Sequence, residues 1–278
     1  DKACDSLPPD AGQGRSATLL CYFLLEQHGV LDSLEIERSK MLTWLTRIDM
    51  GYDKTNAYHN ALHAADVCAN VDYFLRQPNF NRLLNPIDIL SALIAALVHD
   101  MGHPGLNNTF LEATKHELAV TYNDVSVLEN HHVASAFKLL KNKDCDWTKA
   151  LSADDYKDMR ETVIQMVLGT DMRAHFEYLT KFKSKQAGEG FTGHLERKDM
   201  RLLLTMALHA ADIANPAKRE IVATTWAKRS MIEFFRQGDQ EMDLGIPVLA
   251  CPTSLTCLLR TTRRWIWASR YLHVPPHS

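Results

Sequence analysis

The sequence predicts an all-α fold, on three observations. Helical spacing of apolar residues begins at Ala17 and hardly stops, and no convincing apolar–polar alternation runs longer than four residues. Residues that start and stop helices recur along the chain, and no internal repeat is visible.

Residues 1–16 hold two prolines, two glycines and mixed polar residues, which predicts a loop or a truncated leader. Residues 19–25 are apolar nearly all round, as a buried helix should be, and Gly29 ends that helix. Ile36, Met41, Leu45 and Ile48 recur at helical spacing before Gly51. A helix around residues 59–75 follows and stops before Pro78. Asn85-Pro86-Ile87-Asp88 is a strong start: a capping Asn, proline in the first turn and an early acid facing the positive helix end. The helix it opens is largely apolar through Val98 and is expected to be central. Asp124 to Glu129 predicts another cap, leading into His131-His132, Ala134, Phe137 and Leu140. Ser152-Ala153-Asp154-Asp155 caps a helix bearing Met159, Val163, Met166 and Val167. A polar loop over 184–193 precedes a helix over 199–213, and after Pro216 a helix carries Trp226, Ile232, Phe234 and Phe235 up to Gly238.

The totals exclude several function classes. The chain has 278 residues, 46% apolar and 23% charged, which are the proportions of an ordinary globular protein. A net charge of −3 gives no electrostatic reason for a nucleic-acid or anionic-membrane partner. The longest apolar stretches, 19–25 and 93–98, are too short for a transmembrane segment, and no secretory leader is visible. Six cysteines at 4, 21, 68, 145, 251 and 257 include no Cys-x-x-Cys pair, so reduced thiols in a cytoplasmic protein are expected. Metal chemistry, if present, falls to histidine and carboxylate.

Two short windows hold four of the 13 histidines: YHNALHAAD over 58–66 and HDMGHPG over 99–105. His59 and His63 are four residues apart, as are His99 and His103, so on a helix each pair shares a face. One such pair is commonly structural. Two pairs beside Asp100 turn the reading toward a divalent metal. His63, His99, Asp100 and Asp212 form the candidate ligand set. Two imidazoles and two carboxylates suit Zn²⁺ and leave room for a harder cation, Mg²⁺ or Mn²⁺, sharing a carboxylate. Such a binuclear site suits phosphoester hydrolysis, with His59, one turn from His63, as the candidate general acid. Asp212 alone is also compatible with a helix-end salt bridge, and Glu129 with His131-His132 is compatible with packing and capping. Met166 and Met172 are expected in the core.

These residues resemble the catalytic domain of class I 3′,5′-cyclic nucleotide phosphodiesterases. The matching motifs are YHNALHAAD (58–66), HDMGHPGLNN (99–108), YNDVSVLENHH (122–132), MVLGTDM (166–172), HAADIANP (209–216) and EFFRQGD (233–239), in register from about residue 19 to 247. The resemblance implies a compact multi-helix bundle of the HD-type phosphodiesterase fold, with a pocket over a zinc and a magnesium. It maps His63, His99, Asp100 and Asp212 onto the zinc ligands, with Asp100 also reaching the second metal, and His59 onto the general acid. His103, Asn108, Glu129 and Thr170 match residues that order metal-bound waters, and Tyr58, Met172 and Asn215 match residues near the nucleotide. The implied reaction is hydrolysis of cAMP, cGMP or both to 5′-monophosphates, by a hydroxide shared between the cations. Upstream regulatory domains or a homodimer are compatible with it.

The expected domain is 17–247, followed by a divergent tail over 248–278. The family continues with a Ser-Pro start and helices that bring a purine-binding glutamine. Here no glutamine follows Gln240, no acid follows Asp243, and the tail carries four arginines. A change of reading frame near Val248 would account for this. Two alternatives follow. One is a catalytically impaired relative that lacks the glutamine and acts through partners. The other is a broader HD-type phosphohydrolase of nucleoside triphosphates or alarmones, which would not account for HPGLNN or LENHH.

Overall fold

Among residues 15–188, 190–191 and 195–248, which the computed structural model describes, every regular element is helical. In order these are α1 (Ser16–Gln27), α2 (Val30–Ser33), α3 (Arg38–Met50), α4 (Ala61–Leu75), α5 (Pro78–Asn81), α6 (Pro86–Val98), α7 (Asn108–Ala113), α8 (Glu117–Tyr122) and α9 (Val127–Leu139). Then come α10 (Ala153–Leu168), α11 (His175–Ala187), α12 (Arg197–Asp212) and α13 (Glu220–Asp243), with short 3₁₀ turns at Trp147–Ala150, Met172–Ala174 and Asn215–Ala217. The all-α expectation holds. The expected leader and tail lie outside the described residues, apart from Arg15, Ser16 and Val248.

Helix α6 is the axis of the bundle. Asn85 Oδ1 accepts from the Asp88 amide at 2.9 Å while the Asp88 carboxylate accepts from the Asn85 amide at 3.0 Å, closing a capping box behind Pro86. Every residue from Ile87 to Val98 is buried, because α1, α4 and α10 pack around it. A helix apolar on all sides has to be enclosed in this way. Asp88 is buried as well, and Arg197 at the start of α12 meets its carboxylate at 2.6 Å, which offsets the desolvation. The consequence for function is that the C-terminal end of α6, where His99 and Asp100 emerge, has a fixed position.

Several boundaries differ from the sequence reading. His59 precedes α4, because Asn60 caps the helix by accepting from the Leu62 and His63 amides. His99 is the residue just beyond α6, and His103 lies in the turn after it, where Gly102 and Gly105 adopt φ of +76° and +75°. Neither histidine pair therefore shares a helix face. The segment before α9 has no Asp124 cap: Asn123, Asp124 and Ser126 are left-handed, and the Ser126 hydroxyl donates to Asp171 at 2.8 Å. Helix α13 runs through Gly238, which is buried, to Asp243, and α11 continues to Ala187, into the stretch expected to be a loop.

Cys21, Cys68 and Cys145 are buried free thiols, in keeping with the reduced state expected for them. Among the described residues no helix is long and apolar enough to cross a membrane.

Leu93 is fully buried at the centre of α6. Leu93→Ala should lower unfolding free energy by about 2–5 kcal/mol, from lost transfer energy and a residual cavity. Urea denaturation measures it, and a loss below about 1 kcal/mol would contradict the central place of α6.

Candidate metal and catalytic site

Three helix ends deliver the four candidate ligands to one point. The Asn60 cap places His63 in the first turn of α4, facing inward and fully buried. Just beyond the end of α6, His99 Nδ1 donates to the Ala96 carbonyl at 2.9 Å; a carbonyl only accepts, so Nδ1 carries the proton and Nε2 is turned inward. Asp100 follows, and Asp212 is the last residue of α12.

The separations are short and nearly equal. His63 Nε2 lies 3.0 Å from Asp212 Oδ1, 3.3 Å from Asp100 Oδ2 and 3.2 Å from His99 Nε2. His99 Nε2 lies 3.0 Å from Asp100 Oδ2 and 3.4 Å from Asp212 Oδ1. A four-coordinate zinc with bonds of about 2.0–2.2 Å requires ligand separations of about 3.3–3.6 Å. The separations from each imidazole to the other and to both carboxylates match that requirement to within a few tenths of an ångström, and all four donors lie within 4.8 Å of one another, so the residues present fit such an ion. Asp100 also belongs to a second group, with His103 and His132, whose ligand atoms lie within 4.8 Å of one another. That places Asp100 where two cations could share it.

The electrostatics describe a site balanced by positive charge. Burial opposes protonation of His63 and His99, yet Asp100 and Asp212 outweigh it and raise both imidazoles above the ordinary value, His99 well above. Burial likewise opposes ionisation of Asp100 and Asp212, and the imidazoles outweigh it and hold both carboxyls below the usual range. Protons on the histidines do what a bound cation would do. The outer histidines behave oppositely. Burial holds His103 well below the ordinary value and His132 down to about 4, so both are neutral.

His59 stands apart from the four candidate ligands. Its side chain is 26% exposed against 1% for His63, and its ring stacks on His103 with centroids 3.9 Å apart. Its Nδ1 meets the Glu233 carboxylate at 2.5 Å, while the other Glu233 oxygen accepts from the Tyr58 and His59 amides at 2.7 and 2.9 Å. Burial would raise the Glu233 carboxyl, but these bonds, His59 first, hold it below the usual range. The buried Asn56 amide donates to the carbonyls of both His59 and His103, tying the two histidine motifs together.

The remaining sequence candidates are placed as follows. Asn215 Nδ2 donates to the Tyr58 hydroxyl at 2.5 Å, and the Tyr58 ring packs against His63 and Trp226. Asn108 Nδ2 donates to Glu129 at 3.0 Å, and its carbonyl oxygen accepts from the Leu128 amide. Thr170 donates its hydroxyl to the Val167 carbonyl. Met166 is fully buried as expected, whereas Met172, also expected in the core, is 58% exposed because it sits in the turn before α11. Glu233 and Asn56 carry no sequence expectation of their own, and His132, expected as packing and capping, lies beside Asp100 and His103. Glu233 lies inside the EFFRQGD motif, but its partner is 174 residues away.

Residues 58–261 match the 3′5′-cyclic nucleotide phosphodiesterase family. The chain is similar to the Bos taurus dual specificity calcium/calmodulin-dependent 3′,5′-cyclic nucleotide phosphodiesterase 1B, 38% identical over 238 residues, which are 85% of this chain and 43% of that relative. The chain thus spans less than half the length of that protein. Two solved structures of the phosphodiesterase domain of a rhodopsin phosphodiesterase from the choanoflagellate Salpingoeca rosetta are similar in fold. One has a TM-score of 0.81 at 28% identity, covering 91% of this chain and 84% of that one. The other has a TM-score of 0.82 at 29% identity, covering 95% and 83%.

Burial raises the Glu129 carboxyl to about 7, against about 4.3 in an unfolded chain. A raised folded value means that stability present below about pH 4.3 is lost as pH rises through about 7. In metal-free protein, Glu129→Gln should therefore gain on wild type steadily between about pH 4.5 and 7.5, measured as the difference in urea midpoints. A pH-independent difference would contradict the buried environment assigned to Glu129.

Proposed function

The chain belongs to the 3′5′-cyclic nucleotide phosphodiesterase family, and on that premise we propose that it hydrolyses 3′,5′-cyclic nucleotides, cAMP, cGMP or both, to nucleoside 5′-monophosphates. The observation that carries this reading is the convergence of His63, His99, Asp100 and Asp212 at separations of 3.0–3.4 Å. These four would hold zinc, and Asp100, facing His103 and His132, would also face a magnesium or manganese ion. When bound, the pair of cations supplies Lewis acidity toward water and the phosphoryl oxygens.

The chain's own residues account for the rest of the reaction. His59 is the general acid: Glu233 holds Nδ1–H, which leaves Nε2 to carry the proton that the departing O3′ requires. The stacked neighbour His103 is neutral, so it adds no competing positive charge. Tyr58 and Asn215, bonded to each other beside His63, would face the nucleotide, as would the exposed Met172. Among the described residues Asn215 Oδ1 is buried without a partner, as an acceptor awaiting a donor would be. Asn108, Glu129 and Thr170 act one layer out, where they would order water around the second cation.

Turnover of both cyclic nucleotides by metal-loaded protein tests this reading. His59→Ala should retain metal and lose about 10²–10⁴-fold in turnover, whereas His63→Ala or Asp212→Ala should lose the metal itself. Equal metal loss in all three would contradict the division of roles, and no turnover of either nucleotide by metal-loaded wild type would contradict the function.

A further inference from the structure

The stripe of α4 that presents His63 also carries Asp66 and Asn70, each about one turn further along. Asn70 reaches the end of α12, and Asp66 reaches the segment just beyond it. Asn70 Nδ2 donates at 3.0 Å to the Ala211 carbonyl, the peptide that immediately precedes Asp212, and lies 3.4 Å from Asp66 Oδ2. Asp66 Oδ1 pairs with the Lys218 ammonium. Lys218 follows the Asn215–Ala217 turn, so the segment from 211 to 218 is pinned to α4 at both ends. That segment carries Asp212 and Asn215.

We propose that Asp66, Asn70 and Lys218 are positioning residues that hold Asp212 at ligand distance from His63 and so set how tightly the site grips zinc. The proposal rests on the reading of the four-ligand cluster as a zinc centre. His63 and Asp212 are 149 residues apart in the chain yet 3.0 Å apart in space. Asp212 is the last residue of its helix, where the final carbonyls lack intrahelical donors and the backbone frays most readily. Asn70 supplies a donor there. The Lys218 and Asp66 side chains are 20% and 21% exposed, so their pair is partly shielded from water and more directional than a surface pair. An ordinary ion pair between a helix and a turn would change stability alone. A positioning pair changes zinc affinity out of proportion to stability.

The test measures zinc affinity of the full chain by competition with a chelating dye, alongside the melting temperature of each zinc-free protein. Lys218→Met and Asp66→Asn should weaken zinc binding about 10-fold or more, while lowering the zinc-free melting temperature by no more than about 4 °C. Lys218→Arg, which keeps the charge, should stay close to wild type, as should Arg76→Ala, whose pair with Asp72 lies elsewhere on α4. Should the ion-pair variants fail to fold, Asn70→Ala removes the bond to Ala211 and the longer one to Asp66, leaves the Asp66–Lys218 pair in place, and is expected to weaken zinc binding in the same direction. Unchanged zinc affinity in the folded variants, with wild type binding normally, would overturn the positioning role alone. A wild-type chain that binds no zinc would overturn the zinc reading and this proposal with it.

Discussion

Two carboxylates and two imidazoles with their donor atoms about 3 Å apart, beneath a shell of apolar helices, form the constraint on which the rest of the structure depends. Removing such charges from water costs several kcal/mol each unless opposite charge is supplied at close range. In the metal-free chain the two kinds of group supply it to one another: Asp100 and Asp212 raise the proton affinity of His63 and His99, and the imidazoles hold the carboxyls low. A proton on the inward nitrogen of either ring competes with a divalent ion for the same position, so metal binding weakens as pH falls. The apolar bundle makes that balance necessary, since a solvated cluster of the same residues would relax apart.

The different placement of two neighbouring histidines follows from one local feature. Asn60 begins α4 between His59 and His63, so His63 is carried into the core on the helix while His59 stays on the preceding turn. Glu233, reaching over from α13, then fixes both the His59 ring and the amides beneath it. His59, next to the candidate ligands, is thereby partly exposed and hydrogen-bonded to a carboxylate, which is what the proposed role of proton donor to a departing alkoxide requires. Asn56 serves the turn in a similar way, bridging the carbonyls of His59 and His103 with one side-chain amide.

Much of this was legible in the sequence, though not always for the right local reason. Asn85-Pro86-Ile87-Asp88 announced α6 because capping is a short-range interaction written in adjacent residues. His63, His99, Asp100 and Asp212 were picked by donor type and spacing, and the structure brings those four together. The helical-face argument behind the spacing does not hold for either histidine pair, because His59 and His103 lie in turns. Glu233 and Asn56 stayed hidden because their roles depend on contacts fixed only by the tertiary fold. His132, legible as packing, proves to share Asp100 with His103 for the same reason. Met172 lies in the turn before α11 and is exposed, which apolar character alone does not reveal.

The spacing of donor atoms around a single point is most directly tested by X-ray absorption at the zinc edge of the loaded protein. Two imidazole nitrogens with carboxylate or water oxygens at about 2.0–2.2 Å, and no sulfur, are expected. A sulfur shell at about 2.3 Å, or an ion that remains fully hydrated, would contradict a site built from His63, His99, Asp100 and Asp212.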